Sequence, residues 1–226
     1  MASSTSSDRL RANLLILAGG GSRRMGRDKL LLPVPPYGIP LVRHVAERLL
    51  PLAAKVTVVA NDPSICAAVQ GLGRSASQWD GEGMGAHTIV SCFRDDVPGD
   101  GPLGGLATGL REAEEWALTV AGDMPFVSAA CCRYLIERAD ADCDAVVPVL
   151  DGQAQPLHAV YSRRCLPSVE RALAAGRRRM DSFWEEARVR KVEAEQMRAL
   201  DPDLLTFTNV NTPPEWEKAL VLLSQG

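Results

Sequence analysis

The sequence predicts an α/β protein, a Rossmann-like three-layer α/β/α fold built on a mainly parallel sheet. Three observations predict it. Short, nearly continuous apolar runs recur, as strands buried on both faces require. Stretches with helical spacing separate them. Helix starts are marked by Pro or Asp, and turns by Gly.

The first run, "NLLILA" (Asn13–Ala18), reads as a central strand. Leu41, Val45 and Leu49 repeat at helical spacing after Pro40, which places a helix there. "KVTVVA" (Lys55–Ala60) is β-branched and reads as the second strand. "DPSICAAVQGLG" follows as a helix, with Asp62 as N-cap and Pro63 in the first position. Residues 73–87 are polar and glycine-rich and read as a long loop, a kind that is often functional or mobile. "TIVSCF" (Thr88–Phe93) reads as a strand, and "GPLGGLATGLREAEE" as a glycine-rich turn leading into a helix. "WALTVA" (Trp116–Ala121) is the third clear buried strand and ends at "GDMP". A helix over about 128–139, a strand at Asp144–Val149 and a short strand at His158–Tyr161 come next. Helices are expected over Arg163–Ala174 and Met180–Ala187, and a last one after Pro213. The first 12 residues read as a loose polar tail and 13–226 as one domain.

Composition narrows the functional classes. The net charge is −3 across 226 residues, unlike a basic nucleic-acid binder. No run is long and apolar enough for a membrane span, and the N-terminus lacks the apolar stretch of a signal peptide. The six cysteines have no C-x-x-C spacing and no His at zinc-finger distance. They read as small buried apolar residues, free thiols in a reducing compartment, so a cytoplasmic protein is expected.

In parallel sheets, ligands bind beyond the carboxyl ends of the strands. That rule selects Ala18–Gly21, Ala60–Asp62 and Gly122–Asp123. At the first tip, "LLILAGGGSRRMGRDKLLL" sets bare backbone beside four cations, Arg23, Arg24, Arg27 and Lys29. Glycine lets an anion approach main-chain amides closely, arginine can fork onto phosphate and lysine supplies a point charge. The combination reads as a polyphosphate seat; an ordinary turn with solvated arginines is the alternative. Neither a P-loop nor a dinucleotide fingerprint fits, because Arg27–Asp28 follow Gly26 and Arg24 stands at the last glycine position. At the third tip, Asp123 lies just past a buried strand that Pro125 prevents from continuing. A carboxylate there suits magnesium, which takes one or two carboxylates together with phosphates and water. A turn or helix-cap aspartate is the other reading.

"LAGGGSRRMGRDKLLL" (17–32) resembles the signature L-A-G-G-x-S-x-R-M-G-x-D-K-x-L-L of the molybdenum cofactor guanylyltransferase family. "VVAN" (58–61), "GPLGGLATGL" (101–110), "AGDMPF" (121–126), "QPLHAVY" (155–161) and "NVNTPPE" (209–215) are similar to that family's later motifs, in order. The resemblance implies a Rossmann-like nucleotidyltransferase that joins GMP from GTP to the phosphate of molybdopterin, with magnesium required and pyrophosphate released. It implies that Leu17, Ala18 and Gly19 hold GTP through backbone, with Gly20, Ser22 and Arg23 in the same loop. By the same resemblance, Lys29 is expected to contact the phosphates and Asp123 to hold magnesium, and with Arg24 these form the implied catalytic set. Asn61 and Asp95 stand at nucleotide-binding positions, with Asp96 an alternative to Asp95. Asn209 and Asn211 stand near the pterin side, where amides can both donate and accept; turn formation before a Pro-started helix is the other reading. Arg177–Arg179 either meet the molybdopterin phosphate or form a solvated cationic helix start. The partners implied are small molecules, with transient contact to other proteins of the molybdenum cofactor pathway. A CTP-dependent sister enzyme is the nearest alternative, although this chain has "NVNTP" where that group shows D-x-D-T-P. A nucleotide-binding regulatory module without catalysis is the alternative from another class.

Overall fold

The computed structural model describes residues 12–19, 28–72, 89–94 and 100–225. The central strand β1 (Ala12–Leu17) is buried along its whole length. Its side chains alternate between two cores, as the pleat requires. Leu14 and Ile16 enter one, and Leu15 and Leu17 the other.

A two-stranded hairpin, β2 (Pro33–Val34) with β3 (Ile39–Pro40), precedes helix α1 (Leu41–Leu49). The next elements are β4 (Ala53–Val59), α2 (Pro63–Val69), β5 (Ile89–Phe93), α3 (Gly101–Glu112) and β6 (Trp116–Ala121). Then come α4 (Ala129–Ile136), β7 (Ala145–Leu150), β8 (Gln153–Ala154), β9 (His158–Ser162) and α5 (Leu166–Ala174). The chain closes with β10 (Val189–Glu193), α6 (Ala194–Arg198) and α7 (Pro213–Leu223).

The main sheet has the order β10-β7-β9-β6-β1-β4-β5, with β8 paired to β7. β1 is parallel to both β4 and β6, and β5 and β10 are parallel to their neighbours. Among the described residues of this sheet, only β8 and β9 run against the rest, so the expected mainly parallel sheet holds. α3 and α5 supply the core on one face, and α1, α4 and α7 contribute to the other. Leu17 pairs with both Val59 and Ala121. The carboxyl ends of β1, β4 and β6 are therefore level, and residues 18, 60 and 122 emerge side by side.

The glycines of α3 are not a turn before the helix, as expected, but lie inside it. Gly109 shows why one is needed: a Cβ there would lie 2.2 Å from Leu15 Cδ2 and 2.5 Å from Cδ1. Gly109→Ala is expected to lower unfolding stability by about 1–2 kcal/mol, because overpacking outweighs the gain in helix propensity. Urea denaturation measures it, and an unchanged midpoint would contradict the close packing.

Other expectations change. The helix predicted at Met180–Ala187 is only a 3₁₀ turn at Trp184–Glu186. Arg179 forks onto Asp181 and Arg177 donates to the Ser182 carbonyl, and these local bonds replace the helical ones. β10 was not anticipated. It is an edge strand carrying Arg190 and Lys191, so it lacks the apolar run of its buried neighbours. The free-thiol reading fails for two cysteines: Cys66 of α2 and Cys92 of β5 form a disulfide. The other four are free and buried. No helix among the described residues is long and apolar enough to cross a membrane. The predicted 73–87 loop and the polar residues 1–11 lie outside the described residues.

Candidate active site

The floor of the site is made by the three level strand tips. The Ala18 amide donates to Val59, the Ala60 amide to Phe93 and the Gly122 amide to Leu17, at 2.8–3.0 Å. Gly122 is tight: a Cβ would come within 3.3 Å of Leu30 and 3.6 Å of the Leu17 carbonyl. Past Gly122 the chain leaves the sheet and presents Asp123.

Helix α1 clamps the turn that follows. His44 Nε2 lies 2.9 Å from the Pro125 carbonyl, and Arg48 Nε donates to the Val127 carbonyl at 2.7 Å. A carbonyl can only accept, so Nε2 carries the proton. Burial lowers the His44 pKa, although the Pro125 bond partly opposes it.

Lys29 reaches the same point from another direction. Asp28 Oδ1 accepts from the Leu30 amide at 2.9 Å, opening a 3₁₀ turn at Lys29–Leu31. Leu30 is buried, which anchors the turn on the core. Lys29 Nζ then donates to Asp123 Oδ2 at 2.5 Å and to Asn211 Oδ1 at 2.7 Å. The Lys29 and Asp123 side chains are only 16% and 11% exposed, so their attraction is less screened than that of a surface pair.

Asn211 is held by its own helix. Glu215 Oε2 accepts from the amides of Asn211 (2.6 Å) and Thr212 (3.0 Å), while Thr212 caps the Glu215 amide. This is a capping box at the start of α7. The Asn211 amide, above all, lowers the Glu215 pKa. Sequence reasoning passed over Glu215, although its T-x-x-E spacing in "TPPE" was a readable signal. The same segment is tied to Asp123 again where the Val210 amide donates to the Asp123 carbonyl at 3.0 Å.

The expected residues therefore fall into three groups. Lys29, Asp123 and Asn211 are brought into direct contact, with Asn209 two residues from Asn211. Leu17, Ala18 and Gly19 lie at the β1 tip, and Asn61 is exposed just past β4. Gly20, Ser22, Arg23, Arg24, Asp95 and Asp96 lie outside the described residues. Arg178 pairs with Asp100 at 2.8 Å and Arg179 with Asp181 at 2.8 Å. No helix starts at the Arg177–Arg179 run.

Two buried acceptors here have no hydrogen-bond partner among the described residues, Asp123 Oδ1 and Asn209 Oδ1. A buried carboxylate oxygen without a donor is costly. It is also the kind of hard oxygen that magnesium takes when phosphates and waters complete its shell. The donor set thus fits a cation brought in with a polyphosphate. Among the described residues, no group of three or more His, Cys, Asp or Glu could form an all-protein metal cage.

Comparison with known proteins fits this geometry. Residues 14–191 match the family model of the MobA-like NTP transferase domain. A molybdenum cofactor guanylyltransferase of Desulfosudis oleivorans is 32% identical over 213 residues, covering 94% of this chain and 96% of that protein. One from Syntrophotalea carbinolica is 31% identical over 206 residues, covering 90% and 88%. The crystal structure of molybdopterin-guanine dinucleotide biosynthesis protein A from Archaeoglobus fulgidus superposes with a TM-score of 0.74 at 26% identity. It covers 95% of this chain and all of that one.

Proposed function

The chain belongs to the molybdenum cofactor guanylyltransferases, within the MobA-like NTP transferase family, and on that premise we propose that it transfers GMP from GTP to the phosphate of molybdopterin. Pyrophosphate is released and a guanine dinucleotide form of the cofactor results. The observation that carries this reading at the level of residues is the convergence of Lys29, Asp123 and Asn211 beside the tip of β1.

An acceptor phosphate oxygen attacks the α-phosphorus of GTP in line. The new P–O bond forms as the bond to the β-phosphate oxygen breaks, and no covalent enzyme intermediate is needed. The protein's work is positioning and charge neutralisation. The Gly19 amide faces the triphosphate, while the Ala18 amide, bonded to the Val59 carbonyl, holds the strand tip in place beneath it. Lys29 exchanges the oxygens of Asp123 and Asn211 for phosphate oxygens, and so stabilises the departing pyrophosphate. Asp123 would hold magnesium through Oδ1; when bound, the ion neutralises phosphate charge and aligns the oxygens. Asn61 binds the nucleotide from the β4 tip. Asn209 and Asn211 face the acceptor, whose pterin edge both donates and accepts.

A transfer assay with radiolabelled GTP and molybdopterin, with and without magnesium, tests the reaction. Labelled dinucleotide product should form only when magnesium is present. Calorimetric titration with GTP, CTP, UTP and ATP tests base selectivity, and GTP is expected to bind most tightly. Asn61→Ala should weaken GTP binding about tenfold while leaving kcat less affected, since the lost contact is made equally before and during the reaction. An unchanged KM in steady-state assays would remove Asn61 from the nucleotide site.

A further inference from the structure

The disulfide between Cys66 and Cys92 stands apart from the other cysteines. Cys131, Cys132, Cys143 and Cys165 are all buried. Burial pushes the Cys132 thiol far up and that of Cys165 to about 12, so neither is a ready nucleophile. Cys66 and Cys92 are half-buried, with Cα atoms 5.7 Å apart, within the ordinary span of a disulfide.

Their position bears on the site. Cys92 pairs in register with Val58, next to the carboxyl end of β4. One residue on, the Phe93 carbonyl accepts from the Ala60 amide at 2.8 Å. Asn61 and Asp62 follow directly, and Asp62 caps α2 through the Ser64 amide at 2.8 Å. Cys66 lies in the first turns of that helix. The bridge therefore ties α2 to the edge strand β5 around the turn that carries Asn61. The two cysteines are 26 residues apart in sequence, so the bridge also closes a long loop and constrains the unfolded chain.

We propose that Cys66–Cys92 is a reversible dithiol–disulfide site that sets the rigidity of the Asn61 turn, and with it the affinity for the nucleotide. Its oxidant is a low-molecular-weight disulfide, RSSR. One cysteine thiolate attacks a sulfur of RSSR and displaces RS⁻, giving a mixed disulfide. The second thiolate attacks the protein sulfur of that mixed disulfide and displaces the other RS⁻. The net change is two cysteine thiols plus RSSR to one protein disulfide plus two RSH, and a dithiol reductant reverses it. The effect on the nucleotide rests on the reading of Asn61 given above; the bridge itself does not.

The full-length chain, equilibrated with glutathione disulfide or with dithiothreitol, tests both parts. After denaturation without reductant, alkylation should add four groups to the oxidised chain and six to the reduced one. Reduction should lower the thermal midpoint by roughly 5–10 °C. It should also raise the Kd for magnesium–GTP about fivefold. Cys66→Ser and Cys92→Ser should respond to reductant in neither readout. Six alkylated cysteines after glutathione disulfide treatment would overturn the site. Equal nucleotide affinity in the two forms would overturn its link to the Asn61 turn. A chain that binds no GTP in either form would instead remove the nucleotide reading and the link with it, while alkylation and melting would still decide the bridge.

Discussion

Asp123→Ala is expected to lower kcat for GMP transfer about a thousandfold, the scale seen when a group that stabilises transition-state charge is lost. The substitution removes three things at once. It takes away the buried oxygen that lacks a donor among the described residues, and with it the carboxylate that would hold magnesium. It also strips Lys29 of its partner at 2.5 Å, leaving a largely buried cation with Asn211 in contact. The main-chain bond from Val210 to the residue 123 carbonyl does not depend on the side chain, so the turn should keep its shape. Asp123→Asn separates charge from shape: it preserves the volume and should lose nearly as much activity. Radiolabelled transfer under saturating GTP, with circular dichroism to check folding, measures both variants. Turnover near that of the wild type would remove Asp123 from the chemistry.

The second large effect is on stability in mild acid. His158 opens β9 and is fully buried. Its ring lies 4.6 Å from that of Phe207, and Nε2 is 3.5 Å from Cys132 Sγ. Burial pushes its pKa down to about 4, against an ordinary 6.5. Between those values the unfolded chain takes up a proton that the folded chain refuses. Unfolding is therefore favoured as pH falls from about 6.5 towards 4, and stability is fully present only above that window. The difference amounts to about 3 kcal/mol over the window, a large part of a typical domain's stability. His44, also lowered by burial, acts in the same direction. Asp144, held down to about 2 by the Arg188 hydrogen bonds, gives up its contribution only at lower pH, from about 3.8 downward. His158→Phe isolates the effect: its urea-unfolding free energy should change much less with pH between 6.5 and 4.5 than that of the wild type. Parallel pH profiles for the two proteins would refute the assignment.

Much of this protein is written in local sequence. The runs 13–18, 55–60 and 116–121 are apolar on both faces, and only a strand inside a covered parallel sheet buries both. That pattern fixed the sheet's centre and, through the rule for strand tips, directed attention to Lys29, Asn61 and Asp123 before any contact was known. Local chemistry also carried the Asp62 cap before Pro63; the Thr212–Glu215 box is equally local, although sequence reasoning passed over it.

What one residue's neighbourhood cannot encode is which distant segment it meets. Lys29 and Asp123 are 94 positions apart, and Lys29 and Asn211 are 182; register across β1, β4 and β6, together with α7 docking, brings them within bonding distance. The same holds for Cys66 and Cys92, which look like small apolar residues until α2 packs beside β5. It holds for β10 too, whose charged edge gains its order from β7 and from the Arg190–Asp140 pair. Periodicity reports which face of an element is apolar and therefore buried, a property each segment carries alone. Pairing depends on the packing of the whole chain, so the tertiary structure alone decided the contacts that make the site.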